Sequence, residues 1–319
     1  MNRASQARAR SGLFAVLCAA SIAAPSAALA EPCGTVVAAG ATVTLTANVG
    51  PCDGTFGDYA ITVEDGGTLD LNGKTVTCQD LDMNSEIPSA GIVLHGSHDH
   101  VINGTVDGCA VGVLFSGDGY HTVETVTATN GHVPGGHGFA VEFTSPKNRV
   151  TYCTATNNAG DGFNIGSDRN SVTSSSSNGN GAAGFNVIGN KNRLLFVTAG
   201  SNATSGVDLG GIKNKLTCNA ASNGDGVVVN GEGCGVRDST IANNADDGLV
   251  IAASAKALDN TVSYNAYGIR VQASAAKVKI ARNDSSLNSV RDMTDEVAGC
   301  GDHRWTENTF ATSNDACIH

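Results

Sequence analysis

Seven positive charges recur in this chain with a fixed period. Lys147, Arg169, Lys191 and Lys213 stand 22 residues apart, and Arg149, Arg193 and Lys215 hold a second column two residues further on. Ammonium and guanidinium groups at regular intervals suit a polymer of regular negative charge, because each exposed contact is weak alone and several act together. The columns stand out in a chain with 30 Asp and Glu against 19 Lys and Arg, for a formal charge of −11. Like charges side by side repel, so a sequence selected only for folding would intersperse acids. Polar turn residues also duplicate with a repeat without selection for binding. The acidic balance excludes nucleic acid as a partner for the molecule as a whole.

Other groups carry weaker chemical signals. Asp225 and Asp247 each precede a recurring glycine and, with Asp246, offer stacked carboxylates that could share a proton or bind Ca2+. Asp before Gly is also ordinary turn chemistry, and that reading is preferred for these two and for Asp161. Six of the eight histidines fall between His95 and His137, and His100 and His121 are expected at one position of neighbouring repeats. A copper or zinc pair lacks a third ligand of defined spacing there, so turn histidines are preferred. Asn164, Asn186 and Asp208, flanked by Glu142, form a polar row able to bond sugar hydroxyls, or simply a solvated sheet face. No cysteine or histidine spacing fits structural zinc.

These residues are positioned by an internal repeat. A glycine followed by an apolar, any, apolar triplet returns at Gly91, Gly112, Gly138, Gly162, Gly184, Gly206, Gly226, Gly248 and Gly268, with a period near 22. Alternation inside each unit predicts a short strand whose first and third residues, such as Phe163 and Ile165, face inward. A period of this length predicts a solenoid whose coils stack in parallel about 4.8 Å apart. A second strand per coil is expected near Ile102, Val123, Val150, Val172, Leu194, Leu216, Val236 and Val262. Before it runs a ladder of His100, His121, Asn148, Asn170, Asn192, Asn214, Cys234 and Asn260, where amides would satisfy turn backbone. Forty glycines and the absence of a 3.6-residue period exclude a helical repeat.

Residues 1–30 read as a signal peptide: Arg3, Arg8 and Arg10 precede an apolar run from Leu13 to Ala24, and Ala28-Leu29-Ala30 gives a cleavage site before Glu31. The run is too short to span a bilayer, and no membrane span is expected after cleavage. Cleavage takes the formal charge from −11 to −14 and places residues 31–319 in the periplasm or outside the cell. Disulfides persist there. Cys33 and Cys52 bracket the N-terminal segment, Cys300 and Cys317 the C-terminal one, and the strings ending at Cys78 and Cys109 superimpose on neighbouring coils, so three bridges are expected. Cys153, Cys218 and Cys234 read as lying in different columns, and an odd total leaves a thiol free. The single domain divides into an N-terminal cap and first coils (31–90), regular coils (91–289) and a C-terminal cap (290–319).

"LDLNGKTV" at Leu69 to Val76, the coil units, and "RWTENTF" with "ACI" around Trp305 and Cys317 resemble the right-handed parallel β-helix repeat proteins of the pectate-lyase-like superfamily. The resemblance spans roughly residues 33–319 and implies an all-β right-handed parallel β-helix of about 9–11 coils. Its members include polysaccharide lyases, polygalacturonase-type hydrolases, alginate epimerases and a periplasmic copper-enzyme maturation factor, so the fold does not select an activity. Their catalytic motifs are incomplete here. Gly136-His137-Gly138 and Asp246-Asp247 appear in reversed order relative to polygalacturonases, the Asp-Pro-His of alginate epimerases is absent, and Asp99-His100 and Asp302-His303 are isolated dipeptides. The preferred function is binding an acidic polysaccharide through the basic columns. The resemblance implies β-elimination if the chain is a lyase, with a cation or Ca2+ neutralising the uronate carboxylate and a Lys or Arg removing the adjacent proton. The alternatives are a non-catalytic carbohydrate-binding or structural solenoid, and a periplasmic metal-handling factor.

Overall fold

The computed structural model describes residues 32–52, 59–78, 90–133 and 135–319, so the expected signal peptide lies outside the described residues. Every glycine-led segment joins one parallel sheet of 12 strands running from Thr35–Val37 to Arg291–Asp295. This exceeds the expected 9–11 coils because Thr35–Val37, Tyr59–Glu64 and Arg291–Asp295 extend the sheet outside the pattern of a glycine followed by apolar, any, apolar: Gly34 leads into a threonine, and Ala60 and Asp292 stand where the glycine would. Two further parallel stacks follow in each coil. They are separate strands in most coils and fuse into one long strand in four: His100–Asp107, Thr122–Thr129, Arg193–Gly200 and Lys215–Ala221.

The core is a set of columns along the axis. Phe139, Phe163 and Phe185 are in register and stack with ring centroids 4.6 and 4.7 Å apart and planes within 5° and 9°. Each is at most 1% exposed, a burial of the kind that stabilises by about 1.5–3 kcal/mol per side chain. The leading glycine lets coils approach. A Cβ on Gly162 would lie 1.9 Å from Ser177 Oγ and 2.8 Å from the Gly184 carbonyl.

The corner before the second stack is held by the expected asparagines. The backbone N–H groups of Asn148, Asn170 and Asn192 donate to Oδ1 of Asn170, Asn192 and Asn214 at 2.8, 2.7 and 2.7 Å. All four asparagines are buried. A second ladder, not foreseen, closes the return to the glycine-led sheet through Asn158, Asn180, Asn202, Asn223, Asn244, Asn265 and Asn288, with the same N–H to Oδ1 bond at each step. Their spacing of 21 to 23 residues was visible in the sequence.

Two ladder expectations need correction. His100 is in register with Thr122, one residue beyond His121, and the neighbour of His121 is the buried Asp99, whose Oδ2 lies 3.1 Å from Nδ1. The turn between these coils accommodates a one-residue offset that equal spacing hid. Asn260 belongs to the next corner, where Ser239 N–H donates to its Oδ1 and its own N–H donates to Asn283. The position expected of it is held by Ala255, paired with Cys234, because Lys256–Leu258 continues the second stack and Val262 belongs to the third.

Cys33–Cys52, Cys78–Cys109 and Cys300–Cys317 are bonded, bracing regions near both ends. Cys153, Cys218 and Cys234 are buried thiols. Cys153 and Cys218 share a corner column, contrary to expectation, but three coils separate them, about 14 Å at the parallel-strand spacing. At the C-terminal end Trp305 is buried, and its indole Nε1–H donates to Asp295 Oδ2 at 2.9 Å.

Candidate functional site

The second stack presents the basic columns on its outer face. In register along the axis stand Arg149, Ser171, Arg193, Lys215, Gly235, Lys256, Lys279 and Arg304. Lys147, Arg169, Lys191 and Lys213 occupy the corner just before, in left-handed conformation with φ of 58° to 62°, and Lys277 takes the same corner further along. All five of these corner residues are exposed. The sequence-predicted cations are therefore assembled on one face and exposed.

Five more cations join them: Arg237, Lys256, Lys277, Lys279 and Arg304. Of the chain's 19 Lys and Arg, three precede residue 31 and twelve line this face. The signal for the additional five was broken by Gly233 and Gly235, which interrupt both columns, and by a period that departs from 22. Among the described residues, the two arginines in ion pairs, Arg270 and Arg282, lie elsewhere, and none of the twelve has a carboxylate oxygen within 4.0 Å. One end of the corner column carries aromatic rings. Lys147 Nζ lies 4.5 Å from the centre of the Tyr120 ring and donates to its hydroxyl, and His98 stacks on Tyr120 with centroids 4.9 Å apart.

The outer face of the glycine-led sheet is built differently. Asp161 accepts from Asn164 Nδ2 at 2.9 Å, Asn186 Nδ2 at 3.0 Å and the Ala183 N–H at 3.0 Å. Asp208 accepts from Asn230 Nδ2, and Glu142 from Ser116 Oγ. Arg270 is shared between Asp247 at 3.2 Å and Glu296 at 2.7 Å. The expected polar row exists, but its members are already bonded to neighbours outside it: Asn164 and Asn186 to Asp161, Asp208 to Asn230 and Glu142 to Ser116. Burial is the largest influence on three groups here: it pushes the Asp208 and Asp247 carboxyls up, and it lowers His137 despite Asp161, whose Oδ2 lies 3.6 Å from Nδ1.

The metal candidates do not converge. His121 Nε2 lies 2.8 Å from the Ser116 carbonyl and its Nδ1 beside Asp99, while His100 sits in a strand out of register with it. Asp225 Oδ1 accepts the Asp247 N–H, and Asp247 faces Arg270. Among the described residues no three His, Cys, Asp or Glu side chains come together as ligands. The Ca2+ reading of Asp225, Asp246 and Asp247 and the metal pair at His100 and His121 thus lack a donor set.

The sequence matches no protein-family model and no curated protein. Among solved structures, the chain is similar to the A-module of the Azotobacter vinelandii mannuronan C-5 epimerase AlgE4, with TM-score 0.61 and 14% identity over 88% of this chain and 86% of that one. It is similar to the periplasmic alginate epimerase AlgG, with TM-score 0.55 and 12% identity over 81% and 78%. A pectate lyase, Pel9A, matches with TM-score 0.54 and 16% identity over 80% and 70%. At these identities the likeness establishes the fold: an all-β, pectate-lyase-like parallel β-helix.

Proposed function

We propose that this protein is exported and binds an acidic polysaccharide along the outer face of its second stack. The observation that supports this reading is the assembly of twelve exposed cations on one face of an acidic molecule, without a carboxylate partner among the described residues. Lys147, Arg169, Lys191 and Lys213 follow the axis in steps of about 4.8 Å, with Arg149, Arg193 and Lys215 alongside. A polymer with one carboxylate per sugar can lie on such an edge and meet several charges at once. The names of similar structures favour the same ligand class, since they are a pectate lyase and alginate epimerases. The three disulfides and the leader-like residues 1–30 favour a periplasmic or extracellular location.

Binding without cleavage is the form the geometry favours. β-elimination needs a free cation at the uronate carboxylate beside a base. On the glycine-led sheet burial holds His137 largely neutral but Arg270 is committed to Asp247 and Glu296, and on the basic face, among the described residues, no cation has a carboxylate within 4.0 Å to serve as base. The test is to titrate the protein with polygalacturonate and alginate, measuring binding by calorimetry and unsaturated product by absorbance. Saturable, salt-sensitive binding without product is expected. Product formation would restore the lyase reading, and absence of binding at low salt would remove the polysaccharide altogether.

A further inference from the structure

The basic column is interrupted at Ser171 and at Gly235, and of the two the glycine leaves a gap with no side chain, one that the fold does not require. Gly235 sits in register between Lys215 and Lys256, its N–H donates to the Asn214 carbonyl at 2.9 Å as any residue there would, and its φ is outside the left-handed region. A Cβ built on it would meet nothing within 4 Å. Neither conformation nor packing calls for glycine, unlike Gly233 two residues earlier, whose φ of +70° continues the left-handed corner. The missing side chain opens a depression of about 390 Å³ on the sheet face, walled by Arg193, Lys215, Arg237 and Lys256 and edged by Leu195 and Leu258. Lys215 lies one coil to one side of the gap, Lys256 one coil to the other, and Arg237 on the same strand and face.

We propose that this depression seats a tetrahedral oxyanion, a sulfate or phosphate group esterified to the bound glycan. The inference rests on the reading of the basic face as a polysaccharide surface and names what one part of that surface reads. Cations approaching from three directions match a group whose oxygens diverge tetrahedrally, whereas a planar carboxylate satisfies donors in one plane. An ester group also projects from its sugar on an oxygen and reaches into a recess, while a ring carboxylate stays with the polymer on the ridge. Leu195 and Leu258 supply apolar edges against which a sugar ring can rest.

Gly235→Leu fills the recess and leaves every charge in place. We would measure binding of the full chain and of this variant to dextran sulfate and to polygalacturonate at low salt, with inorganic sulfate and inorganic phosphate as competitors. The expected result is a tenfold or greater loss of dextran sulfate affinity with polygalacturonate affinity within twofold; the inorganic anion that competes at the lower concentration identifies the ester. Unchanged dextran sulfate binding, or equal loss for both polymers, overturns the proposal while leaving the basic face as a binding surface. A wild-type chain that binds polygalacturonate alone likewise removes the oxyanion and keeps the parent reading, and binding of neither polymer removes both. Should Gly235→Leu fail to fold, Lys256→Ser carries the test, with a selective loss of about fivefold expected for dextran sulfate.

Discussion

The outer faces of the first and second stacks are both rich in charge, yet they use it in opposite ways. On the glycine-led sheet Asp161, Asn164, Asn186, Asp208, Asn230, Asp247, Arg270 and Glu296 spend their polar groups on one another. On the second stack Lys191, Arg193, Lys213 and Lys215 repeat at coil spacing with no acid within salt-bridge reach among the described residues. A face whose bonds are internally satisfied resists substitution energetically. A face whose charges are unpaired contributes little to stability and keeps its donors for something else.

The largest expected effect strikes the support beneath the basic columns. Asn192 lies between Lys191 and Arg193, accepts from both the N–H and Nδ2 of Asn170, and donates to the Ser167 carbonyl. Asn192→Leu leaves buried groups unmet at about 1–3 kcal/mol each, so a loss of roughly 3 kcal/mol or more is expected in denaturant unfolding. An unchanged midpoint would mean the corner does not depend on its ladder. Next comes the satisfied face itself. Asp161→Ala removes the acceptor of the Ala183 N–H and of two side-chain amides, and should cost about 2 kcal/mol with little change in polyuronate binding. A binding loss without a stability loss would reverse the assignment of the two faces.

The unpaired face should behave inversely. Replacing Lys191, Arg193 and Lys213 together by Ser should leave the melting midpoint within a degree or two and weaken polyuronate binding by about 0.2–1 kcal/mol per charge, roughly tenfold in all at low salt. The difference should vanish in 0.5 M salt, where screening reaches only a few ångströms. Binding unaffected by both the triple substitution and salt would leave the columns as turn residues.

The smallest effect concerns protons. Burial lowers His137 below its ordinary value of 6.5, so the folded state holds it neutral and its contribution is present above that value. As pH falls below 6.5 the unfolded chain takes up the proton first, and stability drops. His137→Gln should flatten that acid-side slope while leaving stability at pH 8 nearly unchanged. Identical slopes would mean that the Asp161 carboxylate offsets burial at the imidazole, and a steeper slope in the variant that it outweighs burial.

The sequence revealed what the repeat enforces. Phe139, Phe163 and Phe185, the Asn148 to Asn214 ladder and seven of the twelve cations share a spacing that coil stacking demands, so periodicity alone located them. His100 and Asn260 were misplaced where a turn or an added strand changes the count, because a corner tolerates one residue more or less without breaking either stack. Lys256, Lys279 and Arg304 went unseen for the same reason. Gly235 is harder still, since a glycine among forty carries no mark until its missing side chain is seen to open a recess.

The asparagine ladders also give the molecule a direction. At every step the N–H of one coil donates to the carboxamide of the following coil, from Asn148 through Asn214 and from Asn158 through Asn288. A newly laid coil therefore remains incomplete until its successor arrives. In these N–H to Oδ1 bonds, removing coils from the N-terminal side strands the acceptor, which water or a second lone pair can tolerate, whereas removing them from the C-terminal side strands a buried backbone donor. The C-terminal closing segment meets that demand: Asn308 Oδ1 accepts the Asn283 N–H and Asp292 Oδ1 the Asn288 N–H, each at the last step of its ladder.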